Sequence, residues 1–377
     1  MRFRYSEFDG EPFQGQQGLQ AFDQLMEFVL EYGDHALDAL RQLELDPEQS
    51  EILDRLVQDG LLEKVGARWR LTPRAVDAMQ KKALMEVFAN LRKGHRDGHE
   101  TRDRGQLGER TEGTKPYEFG DPVSELELNA TLRNTIKRTG PGVPLRIAER
   151  DFELHQSEHQ ASCSTVILLD MSGSMARYHR FYHAKKCAMA MHALITQRFP
   201  QDTVDVVGFY SGAAVIPDHK LPLLSPKPVT IFDYQVRMRV AMEQIDQATQ
   251  HFTNLQMGLM LARRILARRG GDNKQIFIIT DGEPTAHVQG DYIYLLYPPQ
   301  ASTTITTLKE AVQITRQGVR ISTFALTEDY AYMDWVGFVD QLTKVTRGVA
   351  FYCASGDLAD CIMESYLSGK KKRKHVH

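Results

Sequence analysis

Asp170, Ser172 and Ser174 fall within five residues, and Gly173 between the serines lets the chain turn tightly. One carboxylate and two hydroxyls converging on a point are hard oxygen donors, suited to Mg²⁺, with Mn²⁺ or Ca²⁺ as alternatives. A polar turn of the same composition can equally cap a following helix. Taken alone, the pentapeptide leaves both readings open. Downstream, Thr280-Asp281-Gly282-Glu283 adds a second carboxylate, and His251-Phe252-Thr253-Asn254 adds a third hydroxyl. Glu283, close to Asp281, is the candidate general base if such a site hydrolysed a substrate. With only two carboxylates among hydroxyls, a bound cation would stay short of negative charge, which argues for binding before catalysis. His179 and His183 stand four apart, as zinc ligands on a helix can, but no His-Glu-x-x-His and no third ligand accompany them. They read as ordinary helix histidines. Neither a P-loop, a nucleophile elbow nor a dinucleotide fingerprint occurs.

These residues need elements to hold them. Thr165-Val-Ile-Leu-Leu169 directly precedes Asp170, and Gln275-Ile-Phe-Ile-Ile279 precedes Thr280-Asp281. Runs of large apolar residues of that length read as strands buried on both faces of a parallel sheet, whose carboxyl ends carry ligands. An amphipathic helix over about 255–269 follows Thr253. Further elements are expected as a helix over about 178–199, strands at 203–210 and 213–216, and a helix at 235–247. After these come a helix at 304–317, a strand at 320–326, a helix at 331–346, a strand at 349–353 and a helix at 356–367. Alternating strands and helices predict an α/β class: a doubly wound, mostly parallel, Rossmann-like sheet.

Asp170, Ser172, Ser174, Thr253 and Asp281, in that order and behind those elements, resemble the metal-ion-dependent adhesion site of von Willebrand factor A (vWA) domains. The resemblance covers residues 161–367. It implies Mg²⁺ held by these five residues, with an open coordination position taken by a carboxylate of a protein partner. His251 and Phe252 depart from the pattern, since many members carry glycines there; the bulkier pair is expected to reshape the rim of the site.

The remaining chain reads as an N-terminal mainly helical module (1–94), a polar linker and lead-in segment (95–160) and a basic tail (368–377). Leu19, Phe22, Leu25, Met26, Val29 and Leu30 recur at helical spacing, and Gly33 ends the helix. Asp46-Pro47-Glu48-Gln49 opens another helix, followed by two short strands around Gly66 and a helix opened by Thr72-Pro73. Helix, hairpin and helix is winged-helix-like. Residues 1–60 carry four arginines against fourteen acidic residues, which would repel a phosphate backbone, so protein docking or packing is expected rather than DNA binding. Residues 93–105 are polar and too poor in apolar side chains to offset the entropy of ordering. Leu126, Leu128 and Leu132 indicate a short helix ending near Gly140.

The 377 residues, 42% of them hydrophobic, suffice for a sizeable core in more than one domain, and the net charge of −3 gives no general pull toward nucleic acid. Four cysteines without C-x-x-C spacing fit a reducing, cytoplasmic compartment. The expectation is no export signal and no membrane span. Tyr292, Tyr294 and Tyr297 form an aromatic stretch just past Asp281, either a partner-binding patch or a segment folded onto the domain. Intracellular bacterial vWA proteins with a helical N-terminal part share this layout, and the resemblance implies a MoxR-type AAA+ ATPase as the partner. Two other functions are weighed: a vWA subunit of a metal-insertion or cofactor-maturation complex similar to magnesium chelatase, and a metal-dependent hydrolase using Glu283.

Overall fold

The computed structural model describes residues 14–42, 47–66, 68–88, 109–117, 126–142, 144, 147–158, 162–271, 273–326, 333–353 and 358. The expected C-terminal helix at 356–367 and the basic tail lie outside them, apart from Leu358, which is buried.

The N-terminal signals are realised as α1 (Gln14–Tyr32), α2 (Asp34–Gln42), α3 (Pro47–Gln58), the hairpin β1 (Leu62–Val65) and β2 (Arg68–Leu71), and α4 (Pro73–Phe88). Gly33 ends α1 at φ +62°, and any Cβ there would collide with Ser225 and with the Leu223 and Leu224 carbonyls. Glycine is therefore required both for the turn and for the close approach of backbone behind it.

Residues 97–162 form a separate unit. Part of what reads as linker is strand here: β3 (Glu109–Pro116) pairs antiparallel with β4 (Glu153–Glu158), with α5 (Leu128–Thr139) between them in sequence. β3 carries no apolar alternation, so only its distant partner reveals it as a strand. Asp151 ties α5 to the chain before β4. Its carboxylate accepts from Arg138 Nε (2.8 Å) and Nη2 (2.6 Å) and from the Ala148 amide (2.8 Å), bonds that hold it well below the usual carboxylate range.

The third group of elements builds the central sheet. β5 (Cys163–Asp170) is buried at seven of eight residues, as its apolar run predicts. It pairs in parallel with β6 (Thr203–Phe209), to which β7 (Ala213–Ile216) adds an antiparallel edge. On the other side β5 pairs in parallel with β9 (Asn273–Thr280), followed outward by β12 (Arg320–Leu326) and β13 (Val349–Cys353). The order β13-β12-β9-β5-β6-β7 places the point where winding reverses between β5 and β9. A crevice opens there at the strand carboxyl ends.

Helices cover both faces, as the α/β class requires. α7 (Leu255–Arg268), α8 (Ala301–Arg316) and α9 (Met333–Thr346) pack on one through Leu259, Ile314 and Phe338 among others. The other face takes α6 (Arg180–Arg198), and the N-terminal helices close over it in the same core. Covered from two sides, α6 is buried all round over residues 187–193, Ala188-Met189-Ala190-Met191 being fully buried.

One expected element is corrected. Residues 235–247 are not a helix: Val236–Ala241 forms strand β8, followed by a 3₁₀ turn, Met242–Gln247. Val236-Arg-Met-Arg-Val alternates with period two, and β8 takes the edge of a three-stranded antiparallel sheet with β11 (Tyr292–Tyr297) and β10 (Ala286–Gln289). Among the described residues no helix is long and apolar enough to cross a membrane.

Lys185 of α6 is wholly buried, and its ammonium donates to the carbonyls of Val29 (3.3 Å), Pro222 (3.0 Å) and Leu224 (2.9 Å). It thereby joins α1 to the irregular passage after β7. Burial pushes the ammonium down to about 7, against the pull of Glu31 and Asp34. The unfolded lysine titrates near 10.4. Between those values the unfolded chain binds more protons than the folded one, so stability rises with pH across that window. Denaturant unfolding from about pH 7 to about pH 9.5 is expected to show a gain in the native chain that Lys185→Met lacks. A parallel rise in both would contradict this origin.

Candidate metal centre

The carboxyl ends of β5 and β9 are adjacent because Leu169 and Ile279 are register partners. Asp170 is the last residue of β5 and is fully buried. Its Oδ1 accepts from the Ser172 amide at 2.8 Å, and its Oδ2 accepts from the Thr280 hydroxyl at 2.6 Å. The Ser172 and Ser174 hydroxyls are 3.1 Å apart, and Ser174 Oγ donates to Asp281 Oδ1 at 2.8 Å. Asp170, Ser172, Ser174 and Asp281 therefore form one continuous cluster of oxygens at the crevice. Burial raises the affinity of Asp170 for its proton, the Asp281 charge raises it further, and the bonds from Thr280 and Ser172 oppose both.

The loop bearing Thr253 is tied to the same place. The Gly173 amide donates to the His251 carbonyl (3.0 Å), the Phe252 amide to Ser211 Oγ (3.2 Å) and the Asn254 amide to the Tyr210 carbonyl (2.9 Å). Asn254 then caps α7, its Oδ1 accepting from the Met257 amide at 3.1 Å. Phe252 is buried among Val236, Ile245, Ile293 and Leu295. It stacks on His251, with centroids 4.6 Å apart. The bulky pair thus anchors the loop, where glycines would leave it to its backbone bonds alone. Thr253 itself is 6% exposed, its amide donates to Thr285 Oγ1 at 2.8 Å, and its hydroxyl has no hydrogen-bond partner among the described residues. Gly173 packs tightly: a Cβ there would meet Val229 Cγ2 at 2.5 Å and His251 Cβ at 3.2 Å.

Two participants escape a search for oxygen ligands. Thr280 orients Asp170, as above. Arg180, the first residue of α6, donates from Nη1 to Asp281 Oδ2 at 2.8 Å, and the Asp281 side chain is fully buried. Tyr178 (φ 55°) and His179 (φ 53°) bring Arg180 there through two consecutive left-handed residues. Each such conformation costs about 1–2 kcal/mol for a residue with a Cβ. Balancing the charge of two buried carboxylates is the signal that points to a nearby cation such as Arg180.

The clustered donors are all oxygen, two carboxylates and the hydroxyls of Ser172 and Ser174, which fits a hard divalent cation. No three His, Cys, Asp or Glu side chains come together among the described residues. The zinc-like spacing of His179 and His183 accordingly gathers no ligand set; His179 instead faces Glu31 at 3.3 Å. Glu283 is half-buried on the loop after β9. Tyr292, Tyr294 and Tyr297 lie on the middle strand of the small sheet. Tyr292 and Tyr297 are exposed by about half, and Tyr294 stacks on His287 with centroids 5.2 Å apart.

The doubly wound sheet and its crevice loops define a vWA domain. The chain belongs to the Rv0959-like protein family: the profile of that family's vWA domain matches residues 163–367, and the profile of its third domain matches residues 109–157. The uncharacterized proteins Rv0959 of Mycobacterium tuberculosis and Mb0984 of Mycobacterium bovis are each 28% identical over 333 residues, 86% of this chain and 45% of the relative. The chain thus spans about half the length of the curated relatives it matches. Solved structures with a similar fold include the PilB minor pilin from Streptococcus sanguinis. It has 13% identity, covers 61% of this chain and 66% of that chain, and has a TM-score of 0.41. The vWF domain of the type V pili tip protein Mfa5 from Porphyromonas gingivalis has 13% identity, covers 57% and 98%, and has a TM-score of 0.37.

Burying the charged Asp170 beside Asp281 opposes folding in the absence of a cation. Asparagine keeps the shape, and the Thr280 hydroxyl can accept from its amide. Asp170→Asn is therefore expected to raise the melting temperature in chelator by a few degrees, on the order of 1 kcal/mol. Scanning calorimetry checks this, and an unchanged or lower transition would contradict it.

Proposed function

We propose that this chain is a cytoplasmic, metal-dependent protein-binding adaptor. Mg²⁺ would be held by Asp170, Ser172, Ser174, Thr253 and Asp281 and would offer an open coordination position to a carboxylate of a partner protein. The observation that carries this reading is the continuous run of oxygens from Asp170 through Ser172 and Ser174 to Asp281 across the switch point of the sheet. Asp170 is held in one orientation by Ser172 and Thr280, Ser174 bridges to the second carboxylate, and the buried Phe252 fixes the Thr253 loop. With only two carboxylates among its donors, a divalent ion would keep coordination positions open to an anionic side chain.

Aromatic side chains near the site support protein rather than small-molecule recognition. The Thr230 amide lies 3.4 Å from His251 Nδ1, and on the same passage Phe232 is 82% and Tyr234 is 94% exposed. Tyr178, at the entrance to α6, is 61% exposed. Exposed aromatics of this kind are typical contact residues of protein interfaces. Tyr292 and Tyr297 offer further contacts on the neighbouring small sheet.

The partner proposed is a MoxR-type AAA+ ATPase or its client, as the resemblance of layout implies. Immobilised chain is expected to capture a purified MoxR-type ATPase in Mg²⁺ and to lose it in chelator. Asp170→Asn, although folded, is expected to lose it in both. Equal capture under all these conditions would refute a metal-dependent adaptor.

A further inference from the structure

We propose that Arg180 is a tethered cation that competes with the divalent ion for Asp281, so that cation binding at this site requires the guanidinium to be displaced. The proposal rests on the metal-site reading above and adds a residue that sets how tightly that site binds.

The geometry of the pair differs from that of the structural arginine–aspartate pairs in the same chain. Arg138 grips Asp151 with two bonds, from Nε and Nη2. Arg269 grips Asp205 the same way, Nε to Oδ2 at 2.9 Å and Nη2 to Oδ1 at 2.7 Å. Such forks use the full planar match of guanidinium to carboxylate. Arg180 makes a single bond, Nη1 to Asp281 Oδ2, and leaves Oδ1 to Ser174. Its Nε is buried with no hydrogen-bond partner among the described residues, although the Arg180 side chain is only 15% exposed. A buried donor left unmade is costly. The guanidinium therefore neutralises Asp281 without being locked to it.

A route of release is also built in. Tyr178 and His179, both left-handed, join the metal loop to Arg180, and relaxing that kink would favour withdrawal of the side chain. The Tyr178 ring, more than half exposed, lies 5.1 Å from the guanidinium carbon and offers a cation–π resting place toward solvent. Two like charges cannot share Asp281 in a buried crevice without strong repulsion. Occupancy by Arg180 and occupancy by a divalent ion therefore exclude one another.

Calorimetric titration of the full chain with Mn²⁺ tests this. Arg180→Gln is expected to bind Mn²⁺ about tenfold more tightly than the native chain, or better, because a charged competitor is gone. Arg180→Lys keeps a tethered charge and is expected to bind like the native chain, a rescue that a purely structural role would not produce. If Arg180→Gln binds no more tightly than the native chain, or Arg180→Lys binds as tightly as Arg180→Gln, the competition is refuted while the metal site stands. If no folded form binds Mn²⁺, the metal site and the competition both fall. The native chain supplies a reading that needs no variant. Modification of Arg180 by phenylglyoxal, followed by peptide mass spectrometry, is expected to accelerate severalfold on adding Mg²⁺. An unchanged or slower rate would overturn the proposal.

Discussion

Two carboxylates are held close together, out of water, at the ends of neighbouring strands, and much of the surrounding structure serves to make that possible. Burial and the neighbouring charge of Asp281 both work against an ionised Asp170. What keeps them in place is a sheet whose central strands are apolar over residues 166–169 and 276–279, so that pairing of Leu169 with Ile279 fixes where the chain ends emerge. The polar neighbours each address one part of the problem. Ser172 and Thr280 satisfy Asp170, Ser174 bridges to Asp281, and Arg180 supplies the opposing charge.

The same helix that delivers Arg180 also joins the N-terminal module to the sheet. α6 lies between two apolar surfaces, and along it Tyr182, Lys185 and Lys186 reach α1 or α4: Tyr182 donates to Glu27 at 2.5 Å, and Lys186 pairs with Glu86 at 2.7 Å. Lys185 adds a buried amino group joined to three carbonyls from two separate stretches of chain. Exposed ion pairs contribute little stability, so the docking rests mainly on apolar burial, with the polar contacts fixing its register. A winged-helix-like outline is present in α3, the hairpin and α4, yet part of this module is spent covering α6.

How much of this was legible in the sequence follows from the physics of each signal. Continuous apolar runs ending in polar loops marked β5 and β9, and the ligand types behind them marked Asp170, Ser172, Ser174 and Asp281. Caps and glycines marked α1, α3 and α4 because those signals are local. β8 reads as a helix in sequence because two arginines and a methionine in six residues carry strong helix propensity, while its strand partner lies more than fifty residues downstream. β3 is invisible for a similar reason: its eight residues, six of them polar with Gly113 and Pro116, become a strand only beside β4. The place of Phe252 needed the small sheet, whose core it enters. Arg180 is not legible in the sequence because nothing local signals a left-handed pair at Tyr178 and His179, the kink through which the arginine reaches Asp281.

The central claim is that these loops assemble one divalent-cation site between β5 and β9. Crystals of the full chain soaked in Mn²⁺, measured at a wavelength where manganese scatters anomalously, address it most directly. A single strong peak bounded by Asp170, Ser172, Ser174, Thr253 and Asp281 is the expected result. No peak there, with Arg180 still bonded to Asp281 at saturating Mn²⁺, would contradict it and leave the cluster as a polar crossing point of two loops.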